Sequence, residues 1–289
     1  MATIPEAARV FAPAKINLFL HVGGKRPDGY HELESLVVFA KAGDELGCER
    51  ADGFSLTIDG PFANALTPDP DNLVLKAARA LADYAGVREG ARIELTKNLP
   101  VASGIGGGSA DAAAALRGLN TLWKLHLAPE ALRTVAAQIG SDVPVCVGSK
   151  PSWMEGRGEK VTELSGIPEV SMVLVNPGVA VPTGKVFAAL KERRGVGLPL
   201  PKAMSGASEL VSYLKTNAND LEAPARAIAP VIGEVLDALV LQPGVLLARM
   251  SGSGATCFAL FERDEFATAA ARALNARNPG WWIVSTRTG

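Results

Sequence analysis

The sequence predicts an α+β fold in two domains, each a largely antiparallel sheet with helices packed on it. Three observations predict it. Apolar residues alternate with period two in short runs, as in K-I-N-L-F-L-H-V (residues 15–22) and F-S-L-T-I-D (54–59). Strand runs and helix pairs are mixed, without the steady βαβα alternation of a doubly wound parallel sheet. The 289 residues suit two domains or one large one, and the crossover below favours two. The loop-rich stretch G-S-K-P-S-W-M-E-G-R-G-E-K (148–160) is the expected crossover, dividing the chain into residues 1–155 and 156–289.

The elements follow in order. In residues 15–22, Ile16, Leu18, Leu20 and Val22 share one strand face, and Lys15, Asn17, Phe19 and His21 share the other. The turn R-P-D-G-Y-H ends that strand, and S-L-V-V-F-A begins another. Phe54, Leu56 and Ile58 mark a third. Asp71 is the expected N-cap of the first helix, with Leu73, Val74, Ala77, Leu81 and Tyr84 on one face and Gly86 as its stop. The strand A-R-I-E-L-T-K feeds a glycine stretch, and a helix is predicted from about Ser109, with Ala112, Leu116, Leu119 and Trp123 at helical spacing. Another runs from Pro129 to Gly140 around Leu132, Val135, Ala136 and Ile139. The second half predicts strand V-S-M-V-L-V, a helix start at P-T-G-K-V-F-A-A-L, a Gly/Pro-rich loop at 195–206 and two helical patterns. Strand L-L-A-R-M, loop S-G-S-G, strand A-T-C-F-A-L-F, a helix over 264–275 and strand W-W-I-V-S complete it.

Composition narrows the function. A net charge of −1 supplies no general attraction to nucleic acid or to an anionic membrane surface, so any anion must be held by local positive charge. No apolar run reaches the ~18 residues of a membrane span. The start M-A-T-I-P-E-A-A-R-V lacks a charged region ahead of an apolar one, so a soluble cytoplasmic protein is expected. Cys48, Cys146 and Cys257 are odd in number, far apart and in apolar surroundings, which suits buried thiols in a reducing compartment.

Residues 100–110, P-V-A-S-G-I-G-G-G-S-A, carry the chemistry. A linker does not belong between a good strand and a good helix. As a dinucleotide fingerprint the stretch has Gly104 and Gly106, but the third position is Ser109 and no acidic residue closes a second parallel strand about twenty residues on. A Walker loop would end in Lys-Ser/Thr, and this one ends in Ser109-Ala110. The physical logic of a phosphate cradle survives: glycines turn backbone N–H groups toward an anion, and the following helix adds free N–H groups and its positive dipole end. Ser109 offers a hydroxyl to phosphate or magnesium. The neutralising cation must come from elsewhere, and Lys15, in A-P-A-K-I-N-L, is the candidate, its other reading being a surface lysine on an edge strand. Asp142, in Q-I-G-S-D-V-P-V-C, is either a capping or turn aspartate or a chemical one. S-G-S-G (251–254) reads as a tight hairpin and as a second backbone surface that an anion can approach.

Taken together, A-P-A-K-I-N-L, P-x-x-x-G-I-G-G-G-S-A and S-G-S-G-A resemble the three motifs of the GHMP kinases, in order and across nearly the whole chain. K-R-P-D-G-Y-H-E-L-E-S, G-S-D-V-P-V-C, N-P-G-V-A-V-P-T-G-K-V-F and N-D-L-E narrow the resemblance to the members whose acceptor carries a cytidine diphosphate group. The resemblance implies a two-domain kinase with its active site in the cleft between the domains. Its reaction is transfer of the ATP γ-phosphoryl group to the tertiary 2-hydroxyl of an erythritol moiety, in the non-mevalonate route to isoprenoid precursors. It implies Lys15 and Asp142 as catalytic residues. It implies ATP binding by Pro100, Val101, Ala102, Ser103, Gly104, Ile105, Gly106, Gly107, Gly108, Ser109 and Ala110, with Mg2+ met by Ser109. Tyr30 matches an aromatic residue that stacks on cytosine, His31 one that hydrogen-bonds its edge, and Phe187 a second stacking partner. Asn17 and Thr183 match polar residues near the substrate. The expected partner is this small molecule, with no nucleic acid and no membrane, and the protein is a monomer or homodimer. Two departures stand out: Gly-Ile-Gly replaces the usual Gly-Leu-Gly, and Val101, Ala102 and Ser103 occupy positions often held by glycine. Another GHMP small-molecule kinase and a non-catalytic nucleotide-binding regulator are the competing readings.

Overall fold

The computed structural model describes residues 7–289; residues 1–6, part of the stretch read above for a leader, lie outside the described residues. In chain order the elements are β1 (Ala7–Asn17), β2 (His21–Lys25), β3 (His31–Ala51), β4 (Ser55–Asp59), α1 (Leu73–Ala85), β5 (Gly90–Thr96), α2 (Gly107–Leu122), α3 (Pro129–Ile139) and α4 (Val143–Gly148). Next come β6 (Ser152–Gly156), β7 (Lys160–Glu163), β8 (Ser171–Asn176), α5 (Thr183–Ala188), α6 (Ala207–Lys215), α7 (Glu222–Ile228) and α8 (Val231–Val240). β9 (Val245–Met250), β10 (Cys257–Phe261), α9 (Asp264–Arg277) and β11 (Trp282–Arg287) complete the chain.

Two compact units are drawn from interleaved segments. One takes the residues up to Ala14, Gly43–Val101 and Gly106–Ser149; the other takes Lys15–Ala42, Ala102–Ile105 and Lys150–Gly289. The division expected after residue 155 is a single cut, whereas β1 and β3 each run through both units.

In the first unit the last part of β3 pairs antiparallel with β5, from Glu45↔Thr96 to Ala51↔Gly90, and β4 joins β5 in parallel. The N-cap of α1 is Asn72 and not Asp71: the Asn72 carboxamide oxygen accepts the Val74 N–H at 3.0 Å, an interaction worth about 1 kcal/mol. Gly86 ends α1 in the left-handed region, φ +67°. Tyr84, expected on the apolar face, is 49% exposed, because the buried stripe continues through Ala78 and Ala82 instead. Helix α2 begins at Gly107, two residues ahead of the expected start. Its small residues let it lie close to the sheet: Ala112, Ala113, Ala114 and Ala115 are fully buried, and a Cβ on Gly118 would stand 3.0 Å from the Cys48 sulfur. Burial pushes the Cys48 thiol up to about 12, leaving it an inert core group.

In the second unit β11, β8, β10 and β9 form an antiparallel sheet in that order. Its inner face, with Val173, Val175, Ala259 and Phe261, shares one core with Val235 and Leu239 of α8 and Ala267, Ala270 and Leu274 of α9. Burying side chains of the Val, Leu and Phe class stabilises by roughly 1.5–3 kcal/mol each. The first part of β3 pairs with β2 and β6, and β6 with β7.

Three local expectations are corrected here. Residues 148–160 are not a loop: β6 and β7 form a hairpin with Trp153 and Met154 buried, its turn set by two glycines. Residues 15–22 are not one strand. Between β1 and β2 the chain turns its hydrogen bonds elsewhere: the Leu20 N–H goes to Ala218 O at 3.0 Å, Leu20 O accepts from Asp220 N at 2.9 Å, and Leu18 O accepts Arg249 Nη1 at 2.7 Å. Where two helical patterns were expected after residue 206 there are three helices, α6, α7 and α8, with Pro230 standing between the last two.

Candidate functional site

The glycine stretch is shared between the units. In the first unit, Pro100 and Val101 follow β5, and Gly106 to Ala110 open α2. Gly106 is the N-cap with φ +62°, a conformation that favours glycine, and it has no side chain with which to cap. Ala110 N–H donates to Gly106 O at 2.8 Å, so the helical ladder begins there. The N–H groups of Gly107, Gly108 and Ser109 stand ahead of it at the positive end of a 16-residue helix. Gly108 is exposed and Ser109 half-buried. The arrangement can receive an anion through backbone donors alone.

Ala102, Ser103, Gly104 and Ile105 belong to the second unit, where three distant segments meet. Lys15 N–H donates to Ile105 O at 2.9 Å. The Ser251 hydroxyl accepts the Asn17 N–H at 3.1 Å and donates to Gly104 O at 3.1 Å. Thr256 N–H donates to Ser103 O at 3.0 Å, closing a second link between the glycine stretch and the S-G-S-G loop. Asn219 ties that loop down from behind, its Nδ2 donating to Met250 O and to Gly252 O, both at 2.8 Å. The Lys15 side chain is buried, as is Asn17, whose Nδ2 donates to Ser35 Oγ at 2.8 Å while its Oδ1 is buried without a partner. His21, on the same strand face in the sequence reading, is also buried, its Nε2 unpartnered; burial lowers its imidazole below the ordinary value, with Asp220 pulling the other way.

The remaining expected residues of this unit gather around the β2–β3 turn and α5. Tyr30 is 51% exposed. The His31 ring stacks on Phe187, with centroids 5.5 Å apart and planes at 15°. Thr183 Oγ1 lies 2.9 Å from the Ser253 hydroxyl, joining the start of α5 to the S-G-S-G loop.

Asp142, in the first unit, occupies the N-cap position of α4, but its side chain makes no capping hydrogen bond. Capping α4 is therefore not the role of this side chain, and the turn reading stands beside the chemical one. Sequence reasoning missed a buried ionic cluster in the same unit. Lys97, just past β5, pairs with Asp44 and, at 2.9 Å, with Asp111 Oδ2 of α2. Asp44 also accepts the N–H groups of Asn98 and Leu99, at 2.6 and 2.8 Å, so the lysine charge is already matched by a well-held partner. Asp111 has a buried Oδ1 with no partner. Burial, only partly offset by Lys97 and reinforced by Asp44, pushes its carboxyl up to about 8. Lys97 sits directly beneath the phosphate-type helix start, since a Cβ on Gly107 would stand 3.0 Å from its Nζ. The only signal for this cluster in the sequence was a lone carboxylate in an alanine run.

Beside Gly108 and Asp111 opens a cavity of about 330 Å³, walled by Leu66, Leu73, Val74 and Leu95 and edged by Thr67, Asp69, Asp71 and Asn72. Its apolar wall suits the face of a flat heterocycle, and its polar edge offers hydrogen-bond partners. Among the described residues, no group of three or more His, Cys, Asp or Glu side chains is arranged to hold a metal ion. One hydroxyl, Ser109, at an anion-receiving helix start fits a magnesium ion that takes its other oxygens from phosphates and water, as this ion commonly does.

Residues 72–150 match the GHMP kinases N terminal domain and residues 200–280 the GHMP kinases C terminal domain. The chain is 50% identical over 289 residues to the 4-diphosphocytidyl-2-C-methyl-D-erythritol kinase of Parvibaculum lavamentivorans, covering 99% of this chain and 98% of that one. It is 53% identical over 281 residues to the kinase of the same name from Cereibacter sphaeroides, covering 96% and 98%. A crystal structure of 4-(cytidine 5'-diphospho)-2C-methyl-D-erythritol kinase is similar at a TM-score of 0.77 and 32% identity, over 97% of this chain and 99% of that one. The homoserine kinase of Cytophaga hutchinsonii, at a TM-score of 0.72 and 18% identity over 100% and 96%, shares the fold.

Proposed function

The chain belongs to the 4-diphosphocytidyl-2-C-methyl-D-erythritol kinase family of the GHMP kinases, and from that premise we propose that it phosphorylates the 2-hydroxyl of 4-diphosphocytidyl-2-C-methyl-D-erythritol with ATP. The products are the 2-phosphate and ADP. The observation that carries this reading is the Ser251 hydroxyl held between Asn17 N–H and Gly104 O. It draws together the three sequence segments whose resemblance first suggested the family, and full-length relatives bear that kinase's name.

Phosphoryl transfer asks for positioning and charge neutralisation more than covalent help. In this reading the N–H groups at the start of α2 and the backbone of residues 100–106 hold the β- and γ-phosphates, and the cavity beside Gly108 takes the adenine. Asp142, at the start of α4, orients the acceptor hydroxyl and receives its proton late in the transfer. Lys15 stabilises charge near the transferring group. Magnesium, when bound with the nucleotide, neutralises phosphate charge, and Ser109 is the residue that would meet it. Tyr30 and Phe187 stack on the cytosine, His31 reads its edge, and Asn17 and Thr183 line the erythritol side. Binding energy from the cytidine end orients the distant hydroxyl for attack.

The test is a coupled ADP-release assay with purified protein across acceptor alcohols. Turnover is expected with the diphosphocytidyl substrate and not with homoserine or mevalonate. Turnover of another alcohol alone would remove this substrate and keep the superfamily.

A further inference from the structure

The tip of the β6–β7 hairpin is built to present one side chain. Gly156 and Gly158 have φ of +72° and +122°, and Gly158 N–H closes the turn on Glu155 O at 3.1 Å. The Glu159 carboxylate folds back to accept the Arg157 N–H at 2.7 Å, and a Cβ on Gly156 would stand 2.7 Å from that carboxylate. The Arg157 backbone is therefore held in one conformation. β6 pairs with β3 at Leu33↔Gly156, which brings this tip alongside the β2–β3 turn. There the Arg157 guanidinium lies over the Tyr30 ring, with Cζ 5.4 Å from the centroid. The Tyr30 backbone is fixed in turn, its N–H donating to Asp28 Oδ1 at 3.1 Å and its carbonyl accepting from Arg26 N–H at 2.7 Å.

A half-exposed ring at a hairpin tip would otherwise sample several rotamers, and ordering it would weaken any ligand that stacks on it. One face of Tyr30 is covered by a cation, which the ring quadrupole attracts, while the residue as a whole stays 51% exposed. We propose that Arg157 is a positioning residue for cytosine recognition: it holds the Tyr30 ring in place so that its opposite face receives the base. This rests on the reading of Tyr30 as the stacking residue. Arg157 carries no role in the sequence motifs, and only the pairing of two hairpins brings it to Tyr30.

The contact predicts a modest, specific effect. Arg157→Ala should raise KM for the diphosphocytidyl substrate about two- to five-fold, the scale of an exposed cation–π contact. KM for ATP, kcat at saturation and the melting temperature should stay as in the wild type. Arg157→Lys keeps a cation over the ring and should recover most of the lost affinity. In a Tyr30→Ala background Arg157→Ala should have no further effect, whether read as KM or as the Kd of cytidine diphosphate by calorimetry. An unchanged KM in Arg157→Ala overturns the proposal. So does an equal rise in the Tyr30→Ala background, which would make Arg157 a direct ligand contact. A fall in kcat and melting temperature without a change in KM would reduce it to a structural residue. If Tyr30→Ala alone leaves the substrate KM unchanged, the stacking assignment itself fails, and the proposal goes with it.

Discussion

Gly104 and Gly252 meet with no room for a side chain between them. A Cβ on Gly252 would stand 2.6 Å from Gly104 O, and a Cβ on Gly104 would stand 2.6 Å from Ser251 O. Both residues also have positive φ, +78° and +56°. Gly104→Ala and Gly252→Ala should each destabilise by at least about 1–2 kcal/mol from backbone strain alone, and by more once the clash moves the loop. Urea unfolding and the ADP-release assay on the same preparations check this. A wild-type midpoint with wild-type turnover in either variant would mean the two loops are not held in register as described.

Asp142→Asn should separate chemistry from stability. Its replacement by an amide of equal size keeps the volume and the polarity of the side chain, so the variant should remain folded, as a thermal melt checks. Turnover should fall at least ~10²-fold, the scale of a positioned acid–base group. Near-normal kcat would remove the proton-acceptor role.

Tyr30→Ala should raise KM for the cytidine substrate well above any change in KM for ATP, since base–aromatic stacking is worth roughly 1–3 kcal/mol. Steady-state kinetics with each substrate varied in turn make the comparison. Equal effects on both would count against stacking at this position.

Asp111 predicts a pH dependence of stability. Its carboxyl is pushed from the ordinary 3.8 up to about 8, chiefly by burial. A raised carboxyl favours folding at low pH, where both states hold the proton. From about pH 4 upward the unfolded chain releases that proton while the folded one keeps it, so this contribution shrinks until the folded group ionises near 8. Asp111→Asn cannot titrate, so its stability should fall less than that of the wild type between about pH 5 and about pH 8.5. Urea midpoints measured across that window decide it, and parallel curves for the two proteins would show that Asp111 is ionised throughout.

Much of the fold was legible locally because its signals are local. Period-two alternation marked β4 and β5, and apolar spacing marked α2 and α3, with Gly86 ending α1 as expected. The misreadings share a cause as well. Residues 18–20 alternate like a strand and keep a bond from Leu18 N–H to Leu36 O, yet Leu18 O and both polar groups of Leu20 turn to Arg249, Ala218 and Asp220, which no short window contains. Residues 148–160 are rich in turn formers, yet Trp153 and Met154 find a buried place in a hairpin. Asp71 and Asn72 are both good N-caps, and only the helix phase chose the second.

By itself the sequence determined the family and a glycine stretch that runs from a strand into a helix at residues 100–110. These rest on backbone freedom at glycine, on the dipole of the helix that follows and on a motif order that survives in the linear chain. Only the tertiary structure decided that Ser251 joins Asn17 to Gly104, across separations of 234 and 147 residues. It alone placed Lys97 between Asp44 and Asp111 beneath Gly107, and Arg157 over Tyr30. A hydrogen bond, an ion pair or a ring contact acts over a few ångströms of space, and which residues come within that reach depends on how the strands return and pair.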